Sequence, residues 1–98
     1  MKENEINYNK IHKAILSLLD IYSDILDADT YNAVMHYLQH GEYEMAFEGL
    51  FIDLINANFE IQKIDIDYYF TLGKKLSLNK ISIFDYEFWK KFERYIYN

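Results

Sequence analysis

The sequence predicts an all-α fold, a compact bundle of about five helices that forms a single domain over residues 1–98. Apolar residues recur every three to four positions along most of the chain, which is the period of a helix. There is no proline, and the three glycines stand alone. The 51% apolar content suffices for a core at this length. We expect at least half of the residues in helix and at most one short β pair.

The first helix is predicted over residues 6–26. Its apolar side chains lie at helical spacing, which is typical of an amphipathic helix: Ile11, Ala14, Ile15, Leu18, Leu19, Tyr22, Ile25 and Leu26. The opposite side carries charged residues: Lys13, Asp20, Asp24 and Asp27.

The second and third helices are delimited by residues that cap helices. Asp29 or Thr30 can cap the second helix, and Gly41 stops it, because glycine commonly follows the last residue of a helix. The third helix is predicted from about Glu42 to about Asn58.

The second half of the chain contains two further helices. Residues 59–64 alternate weakly between apolar and polar and predict a short extended connection. Asp65 or Asp67 then caps the fourth helix. Gly73 lies on its apolar face, and glycine there predicts the close approach of another helix because its helix propensity is poor.

The last helix is predicted to follow Ser82. Ser82 with Asp85 three residues later resembles a capping box in which Asp replaces Glu. The apolar residues of this helix are mostly aromatic: Phe88, Trp89, Phe92, Tyr95 and Ile96.

Charge is distributed very unevenly along the chain. No lysine or arginine occurs between Lys13 and Lys63, whereas nine carboxylates do. Residues 1–67 hold 13 acids against four bases, and residues 68–98 hold three acids against six bases. A field of one sign attracts an oppositely charged partner and speeds its docking. The pattern therefore favours a small acidic protein that binds something basic, although solubility alone also favours a net charge of −6.

The predicted partner-binding residues come from the first and third helices. They are acids that lack nearby bases, with one aromatic anchor between them: Asp20, Asp24, Asp27, Glu42, Tyr43, Glu44 and Glu48. At 100° per residue, the three aspartates lie within about 60° of one another. Glu44 and Glu48 share a helix side with Phe51 and Ile55, so charge and apolar area would be combined there. The alternative is that this side belongs to the core and that Glu48 is partly buried and bonded to a neighbouring helix end or tyrosine hydroxyl.

Metal binding and catalysis have little support in the sequence. His36, His40 and Glu44 follow one another at four-residue spacing, but Gly41 is expected to end the helix before Glu44. No serine has an evident histidine base, and no glycine-rich phosphate loop occurs. We therefore expect no enzyme activity, no catalytic residue, no cofactor and no metal. The basic residues Lys90, Lys91 and Arg94 are most simply a solvated helix end.

Composition also predicts where the protein works. There is no cysteine, the first ten residues are polar without the apolar core of a signal peptide, and no apolar run could span a bilayer. We expect a cytoplasmic protein. An acidic protein is repelled by phosphates, so neither nucleic acid nor a membrane is an expected direct ligand.

Residues 37–50, Tyr-Leu-Gln-His-Gly-Glu-Tyr-Glu-Met-Ala-Phe-Glu-Gly-Leu, resemble the helix-turn-helix core of small bacterial immunity proteins, notably the MafI type. Residues 69–78, Tyr-Phe-Thr-Leu-Gly-Lys-Lys-Leu-Ser-Leu, resemble the second landmark of that family, a Leu-Gly followed by two leucines. The resemblance covers about residues 10–80 and leaves out the aromatic segment 83–98.

The resemblance implies a function without catalysis. Such immunity proteins pair with polymorphic toxins, including effectors of contact-dependent growth inhibition, and block the active site of the toxin or its access to substrate. Many of these toxins are nucleases with basic clefts, in agreement with the charge pattern. The leading hypothesis is an immunity protein for a basic, nuclease-like toxin. An acidic mimic of nucleic acid that sequesters a DNA-binding protein is the alternative, and a small metal-dependent hydrolase that uses His36, His40 and Glu44 ranks third.

Overall fold

The third helix lies at the centre of the bundle. The computed structural model describes residues 7–97, and its α-helices are α1 Tyr8–Ile21, α2 Ala28–Gln39, α3 Tyr43–Asn56, α4 Ile66–Lys75 and α5 Phe88–Ile96. Helix α3 packs against α1, α2 and α5. Its buried residues therefore extend around the helix instead of forming one stripe: Ala46, Phe47, Glu48, Leu50, Phe51 and Leu54. The predicted all-α class is confirmed, because 68% of the described residues are helical and none of them lies in a strand.

Helix α1 is shorter than predicted. It ends at Ile21 instead of residue 26, and its predicted start at residue 6 lies outside the described part of the chain. Tyr22 turns into the core, where its hydroxyl donates to the Glu60 carbonyl oxygen at 2.7 Å and its ring meets the Phe59 ring edge-on. The chain then turns before α2, so Ile25 is exposed instead of lying in the core.

The ends of α2 follow ordinary capping chemistry. Asp27 is the N-cap, since its carboxylate accepts from the Thr30 amide at 2.8 Å, so the predicted caps Asp29 and Thr30 were wrong by two and three residues. At the other end, the stop at Gly41 is confirmed. Gly41 has a φ of +69°, and the following amide bonds back to the Tyr37 carbonyl at 2.8 Å.

The connection after α3 contains a single turn of 3-10 helix, Ile61–Lys63, in place of the predicted extended segment. Asp65 caps α4 by accepting from the Tyr68 amide, as one of the two predicted alternatives. The expected close approach at Gly73 is confirmed. A β-carbon placed there would lie 2.8 Å from Trp89 and 3.1 Å from Phe47.

The predicted capping box of the last helix was wrong. Helix α5 begins at Phe88, and the segment from residue 79 to residue 87 is non-helical. The Asp85 carboxylate accepts instead from the Glu87 amide at 2.9 Å and from the Lys91 ammonium at 2.8 Å. No helix in the described part of the chain is long and apolar enough to cross a membrane.

Candidate partner-binding surface

The three predicted aspartates do not form one helical stripe. Asp20 lies in the last turn of α1, Asp24 lies in the turn that follows, and Asp27 is the N-cap that precedes α2. All three are exposed, but the helical phase that was expected to align them stops at Ile21. Asp27 is also engaged as a cap, and its bond from the Thr30 amide lowers the pKa of its carboxyl. We call Asp20, Asp24 and Asp27 the α1–α2 acids.

The second predicted group lies at the opposite end of α2. Glu42 precedes α3 and Glu44 is in its first turn, and both are exposed. We call Glu42 and Glu44 the α3 acids. Helix α2 has 12 residues and is therefore about 18 Å long, and this length separates the α3 acids from Asp27 at the start of α2. Tyr43 is half-buried, with its ring stacked on Tyr8 at 5.2 Å between centroids. The seven predicted residues therefore do not share one surface.

The α3 acids border an open, mostly apolar cleft. Its volume is about 430 Å³, and it lies between the start of α3, the end of α4 and the segment that precedes α5. Its lining residues are Gly41, Glu42, Glu44, Met45, Leu76, Ser77, Ile81 and Ile83. We call it the acid cleft. None of the residues that line it is lysine or arginine, so two carboxylates set the charge of its lining.

Glu48 is not at the surface, which agrees with the alternative that it is buried and bonded near a neighbouring helix end, and not with a contact to a partner. It is completely buried. Its Oε1 accepts from the Ile83 amide at 2.7 Å, and its Oε2 accepts from the amides of Phe84 at 2.8 Å and Asp85 at 2.9 Å. Hydrogen bonds to a charged acceptor are stronger than those between neutral groups. The three hydrogen bonds that the Glu48 carboxylate accepts therefore compensate for the cost of burying its charge. Glu48 therefore fixes the backbone of the segment before α5 against α3.

The segment that Glu48 holds presents apolar side chains to solvent. Nine large apolar or aromatic residues of the described chain are exposed, and four of them fall within residues 81–86. The exposed fractions are 71% for Ile81, 48% for Ile83, 48% for Phe84 and 90% for Tyr86. We call residues 81–86 the ridge. Scattered exposed apolar residues are ordinary, whereas large contiguous apolar patches are typical of interaction surfaces.

A second apolar depression lies on the other side of the ridge. This α2–α3 groove has a volume of about 250 Å³, and it is lined by Thr30, Ala33, Val34, Tyr37, Gly49, Ile52, Asp53 and Phe84. Phe84 forms one wall, with its ring 6.1 Å from the Tyr37 ring. The Asp53 carboxylate in this groove accepts from the Thr30 hydroxyl at 2.5 Å. The ridge is thus flanked by two apolar depressions, each with carboxylate in its lining.

The residues considered for a metal site do not form one. Within residues 7–97, no group of three or more histidine, cysteine, aspartate or glutamate side chains is arranged to hold a metal ion. His36 and His40 lie together, with ring centroids 4.2 Å apart, and His40 Nδ1 bonds to the His36 carbonyl at 2.9 Å. Gly41 then redirects the chain before Glu44.

One member of the basic C-terminal cluster pairs within the protein. The Lys91 ammonium lies 2.8 Å from the Asp85 carboxylate. This bond, together with the one from the Glu87 amide, lowers the pKa of the Asp85 carboxyl. Lys90 and Arg94 are exposed on α5.

Sequence reasoning missed the ridge because the Ser82–Asp85 spacing resembled a cap. The usable observation was the run Ile-Ser-Ile-Phe-Asp-Tyr at residues 81–86, whose apolar residues have no helical period. The anchoring role of Glu48 depends on backbone amides 35 to 37 residues away, and no local pattern encodes that contact.

Comparison with known proteins found no relative. No protein-family model matches the chain, and neither the curated proteins nor the solved structures gave a match.

Proposed function

We propose that this protein is a cytoplasmic immunity protein that binds a cognate basic toxin domain, most simply a nuclease, and blocks its active site or its access to substrate. The observation that carries the proposal is the base-free stretch between Lys13 and Lys63, most of whose carboxylates are exposed. Such a field raises the rate at which a basic protein docks, and it repels nucleic acid.

The mixture of charge and apolar area supports a protein partner. The acid cleft combines two exposed carboxylates with Met45, Leu76 and Ile83. Affinity between proteins comes mainly from buried apolar and aromatic anchors, while charge contributes orientation and association rate. The resemblance of residues 37–50 to immunity proteins gives the proposal its particular class.

The first test identifies the toxin. The reading frames beside this gene should include a large exported protein with a variable C-terminal domain. That domain should kill or arrest cells when expressed alone, and co-expression of this protein should restore growth. Neighbouring frames that encode only metabolic enzymes, or a toxin domain that remains lethal on co-expression, would contradict the proposal.

The second test uses salt. Association with the purified toxin domain should slow markedly between low and high ionic strength, while dissociation changes less, because ions screen mainly the long-range attraction. Stopped-flow measurement gives both rates. An association rate that does not depend on salt would show that the acidic field plays no part in docking.

Two charge-reversal variants then divide the acidic field. One carries Asp20→Lys with Asp24→Lys, and the other carries Glu42→Lys with Glu44→Lys. Asp27 stays unchanged because its reversal would remove the cap of α2. We expect both variants to keep the helical circular dichroism spectrum and to associate more slowly than the wild type. Unchanged binding in both would leave the acids a role in solubility only.

A further inference from the structure

We infer that the ridge and the acid cleft beside it are the docking surface for the toxin, and that its occupant is a basic segment of the toxin with an apolar side chain next to a lysine or arginine. The inference rests on the proposed function and adds to it the location of the contact and the chemistry of the partner. Of the two groups of predicted acids, it keeps the α3 acids in the contact and leaves out the α1–α2 acids.

The exposed side chains of the ridge are of the kind that carries binding energy. Tyr86 is almost completely exposed, and tyrosine is among the residues most enriched at interface hot spots. Ile81 and Ile83 also line the acid cleft, so the ridge and the cleft form one continuous surface. A partner that covers this surface removes apolar area from water that the fold itself leaves exposed.

The ridge is held in place before any partner binds. The Glu48 carboxylate accepts three consecutive backbone amides, and Asp85 is further held by Lys91. Exposed apolar loops are usually mobile, and ordering them on binding costs conformational entropy. Anchoring from the buried face of α3 avoids that cost. Glu48 thus acts as a positioning residue rather than as a contact.

Charge in the cleft selects a basic occupant. Glu42 and Glu44 are the charged residues of the lining, and they lie beside Met45 and Leu76. A lysine or arginine side chain can place its charged end against these carboxylates while its aliphatic stem lies along the apolar wall. Lys75 and Lys80 belong to the adjoining chain segments but do not line the cleft.

The test compares two double variants that remove the same residue types. The ridge variant carries Ile81→Ser with Tyr86→Ser. The control carries Ile25→Ser with Tyr31→Ser, an exposed isoleucine and an exposed tyrosine at the α1–α2 end of the molecule. The probe is the purified toxin domain of the neighbouring gene. We expect the ridge variant to bind at least about 30-fold more weakly and the control to change by less than about fivefold.

A second measurement needs no substitution. Oxidative footprinting of the wild-type complex should show that the toxin domain shields Tyr86 and leaves Tyr31 as reactive as in the free protein. This result distinguishes a contact from a loss of folding in the ridge variant, and the circular dichroism spectrum and melting temperature of the variant give the same check.

The outcomes separate the docking surface from the function. If the wild type binds and protects but the ridge variant binds equally well, or Tyr86 remains reactive, the docking surface is wrong while the proposed function stands. If the wild type binds no toxin domain, both are wrong. A wild-type dimer that the ridge variant dissociates would make a second copy of this chain the occupant and would also overturn the inference.

Discussion

The aromatic core around Phe92 and the aromatic residues of the ridge are held in place by different forces. The Phe92 ring is fully buried, and its centroid lies 4.8 Å from that of Phe51 and 5.2 Å from that of Trp89. Phe84 on the ridge is about half exposed, and Tyr86 is almost fully exposed. The core is stabilised by burial of rings against rings, which the ridge largely lacks.

The difference shows how a small bundle can present apolar side chains without losing its fold. The backbone of the ridge is fixed by three hydrogen bonds to Glu48, so its side chains are free to face solvent. Substitutions in the core should therefore lower the free energy of unfolding, whereas substitutions on the ridge should lower the affinity for the proposed toxin domain. Glu48 lies at the boundary between the two regions and should affect both.

The largest effect on stability that tests this comparison is expected from Glu48→Gln. The glutamine amide retains one acceptor, but its NH₂ group would face amides that now donate to a carboxylate oxygen. We expect the free energy of unfolding to fall by about 2–4 kcal/mol, because buried donors lose a charged acceptor. Urea unfolding followed by circular dichroism measures the loss.

Glu44→Gln is the matched control, because Glu44 lies one turn earlier on the same helix but is exposed. It should change the free energy of unfolding by no more than about 0.5 kcal/mol. Amide hydrogen exchange adds a local readout. The amides of Ile83, Phe84 and Asp85 should be protected in the wild type and exchange faster in Glu48→Gln. Equal stability of the two variants would show that the ridge does not depend on this anchor.

A smaller effect on the free energy of unfolding is expected when either of two helical glycines is replaced by alanine. Gly73 packs against the aromatic core, and Gly49 packs against Phe84 of the ridge. A β-carbon at Gly73 would lie 2.8 Å from the Trp89 ring and 3.1 Å from the Phe47 ring, so Gly73→Ala forces the core to shift. At Gly49 the nearest atom is on Phe84 of the ridge, at 3.5 Å, which is ordinary contact. We expect Gly73→Ala to lower the free energy of unfolding by about 1 kcal/mol after the gain in helix propensity, and Gly49→Ala to raise it by up to about 1 kcal/mol.

Thermal or urea unfolding of Gly73→Ala and Gly49→Ala gives the sign of each change in the free energy of unfolding directly. Opposite signs would support a tightly packed core and a ridge that rests more loosely on α3. A loss of stability in both variants would mean that Phe84 is packed as closely as Trp89. The two variants control for each other, because each adds one methyl group to a glycine within a helix.

Much of the fold could be predicted because its determinants are local. The helical period gave all five helices, Gly41 gave the end of α2, and Gly73 gave the close packing of α4. The errors arose where a distant contact competed with a local pattern. Helix α1 ends at Ile21, and the hydroxyl of Tyr22, the next residue, donates to the Glu60 carbonyl, 38 residues away. Ser82 does not begin α5 because the following amides bond to Glu48 instead of a helix cap.

Less of the candidate site could be predicted. Charge counting identified the exposed acids Glu42 and Glu44, which line the acid cleft, but it could not decide between a partner-binding Glu48 and the alternative of a buried one. Exposed and buried carboxylates differ only in their surroundings, which the sequence does not state. The ridge was assigned to a helix, so its exposed apolar side chains could not be recognised as a surface.

The last predicted effect is an alkaline pH dependence that arises from the buried Tyr22 side chain. Burial raises the pKa of the Tyr22 hydroxyl from its ordinary value of 10 to about 12. Between these values the unfolded chain loses its proton first, so the folded state binds more protons and the free energy of unfolding falls as pH rises. The contribution of Tyr22 is therefore complete below pH 10 and is lost as pH rises through about 12.

Tyr22→Phe should be less stable at neutral pH by about 0.5–1.5 kcal/mol, because the hydrogen bond to Glu60 is lost. Between pH 10 and about 12, however, the stability of this variant should fall less steeply than that of the wild type. Urea unfolding at a series of pH values measures the slopes, and equal slopes for Tyr22→Phe and the wild type would show that the Tyr22 hydroxyl is not held neutral by the fold.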